Sequence, residues 1–220
     1  MILIPFICLS VICVAMGVMN TIFHNLTGWK AIVVRGVTMV SLTTFALVIS
    51  NLRGITNAFP LFIGLAFVSL LLSETIETSM PEDEKLKPII RGVFYSISCI
   101  LFALSAASLA EFSVLALLGG LFAGIGSGLI ICAIKKEKGL NQIIMNISTL
   151  GCVGLLIGLS FGAVVNSQHL ASALLMLLGG LMLLAHRLLI VCGRGKVVVY
   201  ITHALYSLAL ILMAASIYFY

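Results

Sequence analysis

Eight apolar runs, each about long enough to cross a bilayer, follow one another along the chain with little between them. They cover residues 2–23, 31–50, 58–77, 88–109, 112–134, 141–165, 170–192 and 197–219. A spanning helix needs about 20 predominantly apolar residues. Lipid offers the backbone no hydrogen-bond partner but itself, so runs of this kind are helices. The breaks fall at 24–30, 51–57, 78–87, 110–111, 135–140, 166–169 and 193–196. Most of them hold turn formers and charges. Only Glu111 marks the fourth, and without that break the count falls to seven. The expectation is an all-α, polytopic membrane protein with about eight transmembrane helices in one bundle, a single domain over residues 1–220.

Charge scarcity excludes the soluble alternatives. Charged residues make up 9% of the chain, against roughly a quarter in a soluble domain. That is too few to cover a water-facing surface, and the short breaks leave no room for a soluble catalytic domain. The net charge of +5 does not point to nucleic acid, because the cations cluster beside the apolar runs as topology signals do. Cys8, Cys13, Cys99, Cys132, Cys152 and Cys192 lie in or at the ends of those runs without a CxxC pair, and they read as small buried hydrophobes. No Lys or Arg precedes Lys30. The first run therefore lacks the basic start of a signal peptide and is expected to be retained.

The cations also orient the bundle. Lys30, Arg35, Lys85, Lys87, Arg91, Lys135, Lys136, Lys138, Arg187, Arg194 and Lys196 lie in or beside the odd-numbered loops, and only Arg53 lies by an even one. Lys and Arg accumulate on the cytoplasmic side, so the odd loops are expected there and both termini outside. With no targeting signal or extramembrane domain, a bacterial inner membrane is the expected location. Gly120, Gly124 and Gly128 form one ridge of small residues, and Gly154, Gly158 and Gly162 another. Ridges of this spacing let helices approach closely in lipid. Packing within the bundle is the expected use, and a homodimer the alternative. Two glycosylation patterns, Asn25-Leu26-Thr27 and Asn146-Ile147-Ser148, fall in a cytoplasmic loop and inside a span, and read as chance.

The strongly polar residues gather toward the odd-loop ends of the helices. They are Asn20, Arg35, Thr38, Glu74, Glu77, Arg91, Tyr95, Gln142, Asn146, Thr149, His186, Arg187, Tyr200, His203 and Tyr206. The opposite half holds mainly small hydroxyls such as Ser41, Ser105 and Ser160. This predicts a polar pocket open toward one leaflet, whereas a channel or midplane transporter spreads polar groups through the full depth. Interfacial anchoring is the simpler role for the arginines taken singly. Glu74 and His186 lie inward of the ends of their runs and are harder to explain that way. A carboxyl at the depth of Glu74 is easier to bury as the neutral acid, which makes it a candidate general acid. His186 can accept, donate or carry a proton near neutral pH, and helix–helix hydrogen bonding is its ordinary use. Arg187 points about 100° away from it and can meet a lipid phosphate. Tyr200, His203 and Tyr206 recur every three residues and can line one side of a pocket, or, for the tyrosines, belong to an interfacial belt. No GxSxG, HExxH or Gly-rich phosphate loop occurs, so neither a metal nor an organic cofactor is indicated.

With these residues in place the chain resembles the YhhN-like lysoplasmalogenases, multi-span membrane proteins of similar length. Arg35-Gly36-Val37-Thr38 is similar in place to a basic motif on their second helix, without its proline. Gly64-Leu65 through Ser69-Leu70-Leu71-Leu72-Ser73-Glu74 resembles their third helix, with glutamate where the family has aspartate. Gly92 fits the start of their fourth, but Ser98-Cys99-Ile100-Leu101-Phe102 lacks the family's histidine and tyrosine there. Gly179-Gly180-Leu181-Met182-Leu183-Leu184-Ala185-His186 resembles the penultimate helix, with histidine in place of the second acid, and Tyr200 or Tyr206 matches the tyrosine of the last. The resemblance implies hydrolysis of the vinyl ether of a lysoplasmalogen to an aldehyde and a glycerophospho-alcohol. Glu74 would be the acid, His186 the base, and Arg35, Arg91 or Arg187 the holder of the phosphate. Thr38, Tyr95, Asn146, Tyr200, His203 and Tyr206 complete the expected substrate contacts. The implied partner is a lysophospholipid or ether lipid in the bilayer. A non-catalytic lipid-binding or lipid-moving protein is the alternative use of the same pocket.

Reporter fusions test the orientation. Fusions in the second and sixth breaks should report an outside location, and fusions in the third and fifth a cytoplasmic one. The reverse pattern would sink the assignment.

Overall fold

The computed structural model describes residues 3–23, 28–81, 86–111, 113–136, 139–192 and 195–220. Asn25-Leu26-Thr27 and the loop cations Lys85, Lys138 and Arg194 lie outside these residues. Eight α-helices form among the described residues: α1 Leu3–Ile22, α2 Gly28–Arg53, α3 Ala58–Ser79, α4 Lys87–Ala107, α5 Val114–Lys135, α6 Leu140–Asn166, α7 Leu170–Cys192 and α8 Lys196–Ala215, with a 3-10 turn at Ser216–Phe219. Seven of them are long and apolar enough to cross a membrane, while the apolar stretch of α1, Phe6–Ile22, is somewhat shorter. The chain is a multi-pass integral membrane protein.

Local chemistry sets several of the boundaries. Asn57 caps α3, its Oδ1 accepting from the Phe59 amide at 3.3 Å, and Ser113 caps α5 in the same way, accepting from Ala116 at 3.3 Å. Each cap satisfies an amide that the first helical turn leaves without a partner. The weakly marked fourth break is therefore real: α4 ends at Ala107 and Ser113 starts a new helix. At the C-terminus of α5, Lys136 takes a left-handed conformation with φ of 52°, which turns the chain out of the helix.

Seven helices close a ring in the order α1, α2, α3, α4, α6, α7, α8 and back to α1, and α5 lies outside it against α6. Phe59, Phe67, Phe102, Met39, Leu42, Leu156, Met176 and Leu210 are sealed in its centre. Lipid gives no hydrophobic incentive for helices to associate, so close packing and interhelical hydrogen bonds do that work. Along α3–α4, Ser69 donates to the Phe94 carbonyl at 2.7 Å, Ser73 to Arg91 at 3.1 Å, and Ser105 back to Phe59 at 3.1 Å. Ser172 of α7 donates to the Ser216 carbonyl at 2.8 Å.

The two glycine ridges meet each other. A Cβ built on Gly124 would stand 2.9 Å from the Cα of Gly151, and one on Gly158 2.8 Å from the Cα of Gly120. On Gly128 it would stand 2.8 Å from the Cα of Ile147. The ridges are thus used inside one chain, between α5 and α6. Gly119 and Gly126, on the other side of α5, have nothing within 4 Å of an added Cβ. Gly124→Ala should lower stability in detergent by about 1–3 kcal/mol, the usual cost of overpacking, and Gly119→Ala should leave it unchanged. Thermal unfolding of the two purified variants checks this, and equal effects would contradict the ridge contact.

Candidate functional site

Glu74 and Glu77 are three residues apart on α3, so they share a face. Each meets an arginine from a neighbouring helix. Arg35 Nη1 of α2 lies 2.8 Å from Glu74 Oε2, and Arg91 Nη1 of α4 lies 3.0 Å from Glu77 Oε2. The side chains of the first pair are 16% exposed and those of the second 34%. The pairs therefore step from the interior to the rim. In a chain so poor in charge this arrangement has a direct cause: an ionised group in a span must find a counter-charge or water.

Across from them stands His186, buried on α7. Its Nδ1 is 2.9 Å from the carbonyl oxygen of Thr202 on α8. A carbonyl can only accept, so Nδ1 carries the hydrogen, a tautomer assigned from this contact. Nε2 of the neutral ring is then an acceptor. The Tyr206 ring lies 5.0 Å from the imidazole, tilted by 30°. Its hydroxyl is near the Glu74 carboxyl but has no partner in hydrogen-bond geometry. Tyr206 thus stands between the acid and the histidine.

These side chains enclose a cavity of about 210 Å³. Asn20 enters from α1, Arg35 from α2, Glu74 and Glu77 from α3 and Arg91 from α4. His186 and Ile190 come from α7, and His203 and Tyr206 from α8. Asn20 is held there by its Nδ2, 3.4 Å from the Ser207 hydroxyl. The volume suits a polar head group or several waters, and a long acyl chain must remain outside it. A larger groove of about 610 Å³ between α5, α6 and α7 has no ionisable side chain in its lining. The chemistry lies in the smaller cavity.

Of the residues expected from sequence, Arg35, Glu74, Arg91, His186, His203 and Tyr206 come together. The others lie outside the cavity lining. Thr38 is buried and gives its hydrogen to the Val34 carbonyl at 2.9 Å, with the Met16 carbonyl at 3.3 Å. Its single hydroxyl hydrogen is thus taken by its own helix, at a position where α1 packs closely. Asn146 is not in the lining, and its carbonyl faces Gly128 of α5. Tyr200 is 45% exposed and also outside the cavity. Six residues at 100° each turn 600°, so Tyr200 and Tyr206 end 120° apart on α8. Tyr95 and Arg187 lie behind the wall, the guanidinium carbon 3.9 Å from the centroid of the tyrosine ring. The depth of Glu74 alone favours the neutral acid. Glu74 is instead an ion-paired acceptor, because Arg35 reaches it from α2.

Glu77, Asn20 and the apolar Ile190 are the three cavity residues absent from the site expected from sequence. The three-residue spacing from Glu74 was the available signal for Glu77; for Asn20 it was only depth. No family model, curated protein or solved structure matches the chain.

Breaking the inner ion pair should be costly. Glu74→Gln leaves Arg35 without a counter-charge, for a loss on the order of 3 kcal/mol. Glu77→Gln, at the half-exposed rim, should cost less than about 1 kcal/mol. Thermal unfolding of both variants, with Arg35→Gln/Glu74→Gln as the double mutant, checks the ordering. The double mutant should recover most of the loss, and no recovery would mean that the two side chains do not act as a pair.

Proposed function

We propose that the protein is a membrane-embedded hydrolase of ether-linked lysolipids, of the lysoplasmalogenase type, with Glu74 as acid and His186 as base. One observation carries this: a single small polar cavity contains a carboxyl and an imidazole whose Nδ1 is engaged with the backbone, leaving Nε2 as an acceptor. Vinyl ether hydrolysis needs a proton on the outer alkene carbon and water on the carbon that bears the ether oxygen. The protonated Glu74 carboxyl gives its proton to the first, forming an oxocarbenium ion. Water attacks the second carbon and passes its proton to His186 Nε2. The hemiacetal then breaks its bond to the glycerol oxygen, which takes the proton from His186. The hemiacetal hydroxyl proton returns to Glu74 as the aldehyde leaves. One water is consumed, and both groups end as they began.

In the resting arrangement Glu74 accepts from Arg35, so arming the acid requires that pair to open as the lipid arrives. The cavity has room for the head group and the attacking water while the chain stays in the bilayer. We place this site toward the cytoplasmic leaflet of a bacterial inner membrane, with both termini outside, because the basic residues cluster at the same end of the bundle. The ion pair also favours a second use: a cavity that binds a lysolipid without turnover needs no protonated acid.

Purified protein given a lysoplasmalogen should release fatty aldehyde. Glu74→Gln and His186→Ala should each reduce that release by about 10²-fold or more while the protein remains folded. Bound lysolipid without aldehyde from the unaltered protein would favour the binding function. Full activity in either variant would remove that residue from the mechanism.

A further inference from the structure

Among the described residues the cavity and its surroundings hold three arginines and two glutamates near one another, and the two ion pairs use both glutamates. Among the described residues Arg187 has no acidic partner. The third described acid, Glu111, lies in the loop at the opposite end of the bundle. Arg187 as a residue is half-buried, but its Nε is sealed from solvent and makes no hydrogen bond. Its guanidinium lies over the ring of Tyr95, and the hydroxyl of Tyr95 is also buried without a partner. Tyr206, whose hydroxyl is in the same condition, lines the cavity within electrostatic reach of Arg187.

An uncompensated cation inside a membrane bundle is expensive and marks function by default. Cation–π contact with Tyr95 recovers part of that cost and leaves Nε and both phenols unused. A guanidinium has donors and no acceptor, and a phenol readily donates. Three groups short of acceptors, with one net positive charge between them, match an anionic oxygen group of single charge. A phosphodiester has that charge, and a phosphomonoester carries nearly two.

We propose that Arg187, Tyr95 and Tyr206 form a niche at the back of the cavity for a singly charged phosphodiester, so that Arg187 selects lipids with a phosphate head group. This rests on the lipid-hydrolase reading and specifies which arginine holds the phosphate. Of the three arginines near the cavity, Arg35 and Arg91 are held by carboxylates, and Arg187 has none among the described residues.

Binding of non-hydrolysable lipids tests the niche separately from turnover. A saturated glyceryl ether lipid carrying a methyl phosphodiester, the same glyceryl ether without phosphate, and inorganic phosphate alone are titrated into purified protein. The phosphodiester lipid should bind about tenfold or more tightly than the neutral one, as expected for a charge-assisted hydrogen bond. Arg187→Gln should abolish this preference and leave affinity for the neutral lipid unchanged. Tyr95→Phe and Tyr206→Phe should each remove part of it. Arg187→Lys, which keeps the charge, should retain part, and covers the case in which Arg187→Gln does not fold. Saturable protection by inorganic phosphate, lost in Arg187→Gln, would support a niche that also takes the free anion. Equal affinity for the two lipids would overturn the proposal, as would a preference that survives Arg187→Gln. So would an Arg187→Gln protein with lower thermal stability and an unchanged preference, since the arginine would then be a structural brace. Aldehyde release that fails while the preference stands removes only the hydrolase. Preference lost from a protein that still turns over removes only the niche.

Discussion

The pairing of Arg35 with Glu74 across α2 and α3 is the contact on which the site depends. Lipid cannot hydrate a charge, so every ionised group within the spans must be neutralised by a partner, reach the rim or border water. Glu74 lies too deep in α3 to reach the rim easily, and Arg35 meets it there at 2.8 Å. Once that pair is buried, the remaining polar groups have a place to collect. Glu77 and Arg91 close the rim, His186 and Tyr206 form the far wall, and Asn20 completes the side toward α1.

Much of the fold was legible because lipid imposes a simple rule on sequence. Span positions followed from apolar length alone, and even the fourth break, marked by one glutamate, proved to separate two helices. The glycine ridges were legible as well, because a missing side chain on every fourth residue has one mechanical use. Depth along each helix was readable from residue order, and that correctly gathered Arg35, Glu74, Arg91, His186, His203 and Tyr206 at one cavity. Rotation was harder. The three-residue recurrence from Tyr200 to Tyr206 drifts by 60° at each step, enough to carry Tyr200 out of the cavity. Partners were hardest of all. The residue that orients His186 is Thr202, acting through a carbonyl that any residue would supply, so no side chain announced it. Thr38 looked available until a backbone carbonyl of its own helix claimed its hydroxyl.

The walls of the cavity are not equally firm. On α3–α4, Ser69 and Ser73 donate to backbone carbonyls, and no incoming ligand can replace those bonds without breaking the contact between the helices. His186 is likewise fixed to the α8 backbone. The α2 side is different in kind: at the depth of the cavity the polar link between α2 and α3 is one guanidinium on one carboxylate. That contact can open without unmaking any backbone bond between the helices. An incoming lipid therefore finds a site whose far wall, on the side of Arg187, holds its shape and whose near wall contains a contact that can open. Opening it would free the Glu74 carboxyl to carry a proton. Recognition of the phosphate and arming of the acid thus rest on different cations, Arg187 behind the far wall and Arg35 on the near one.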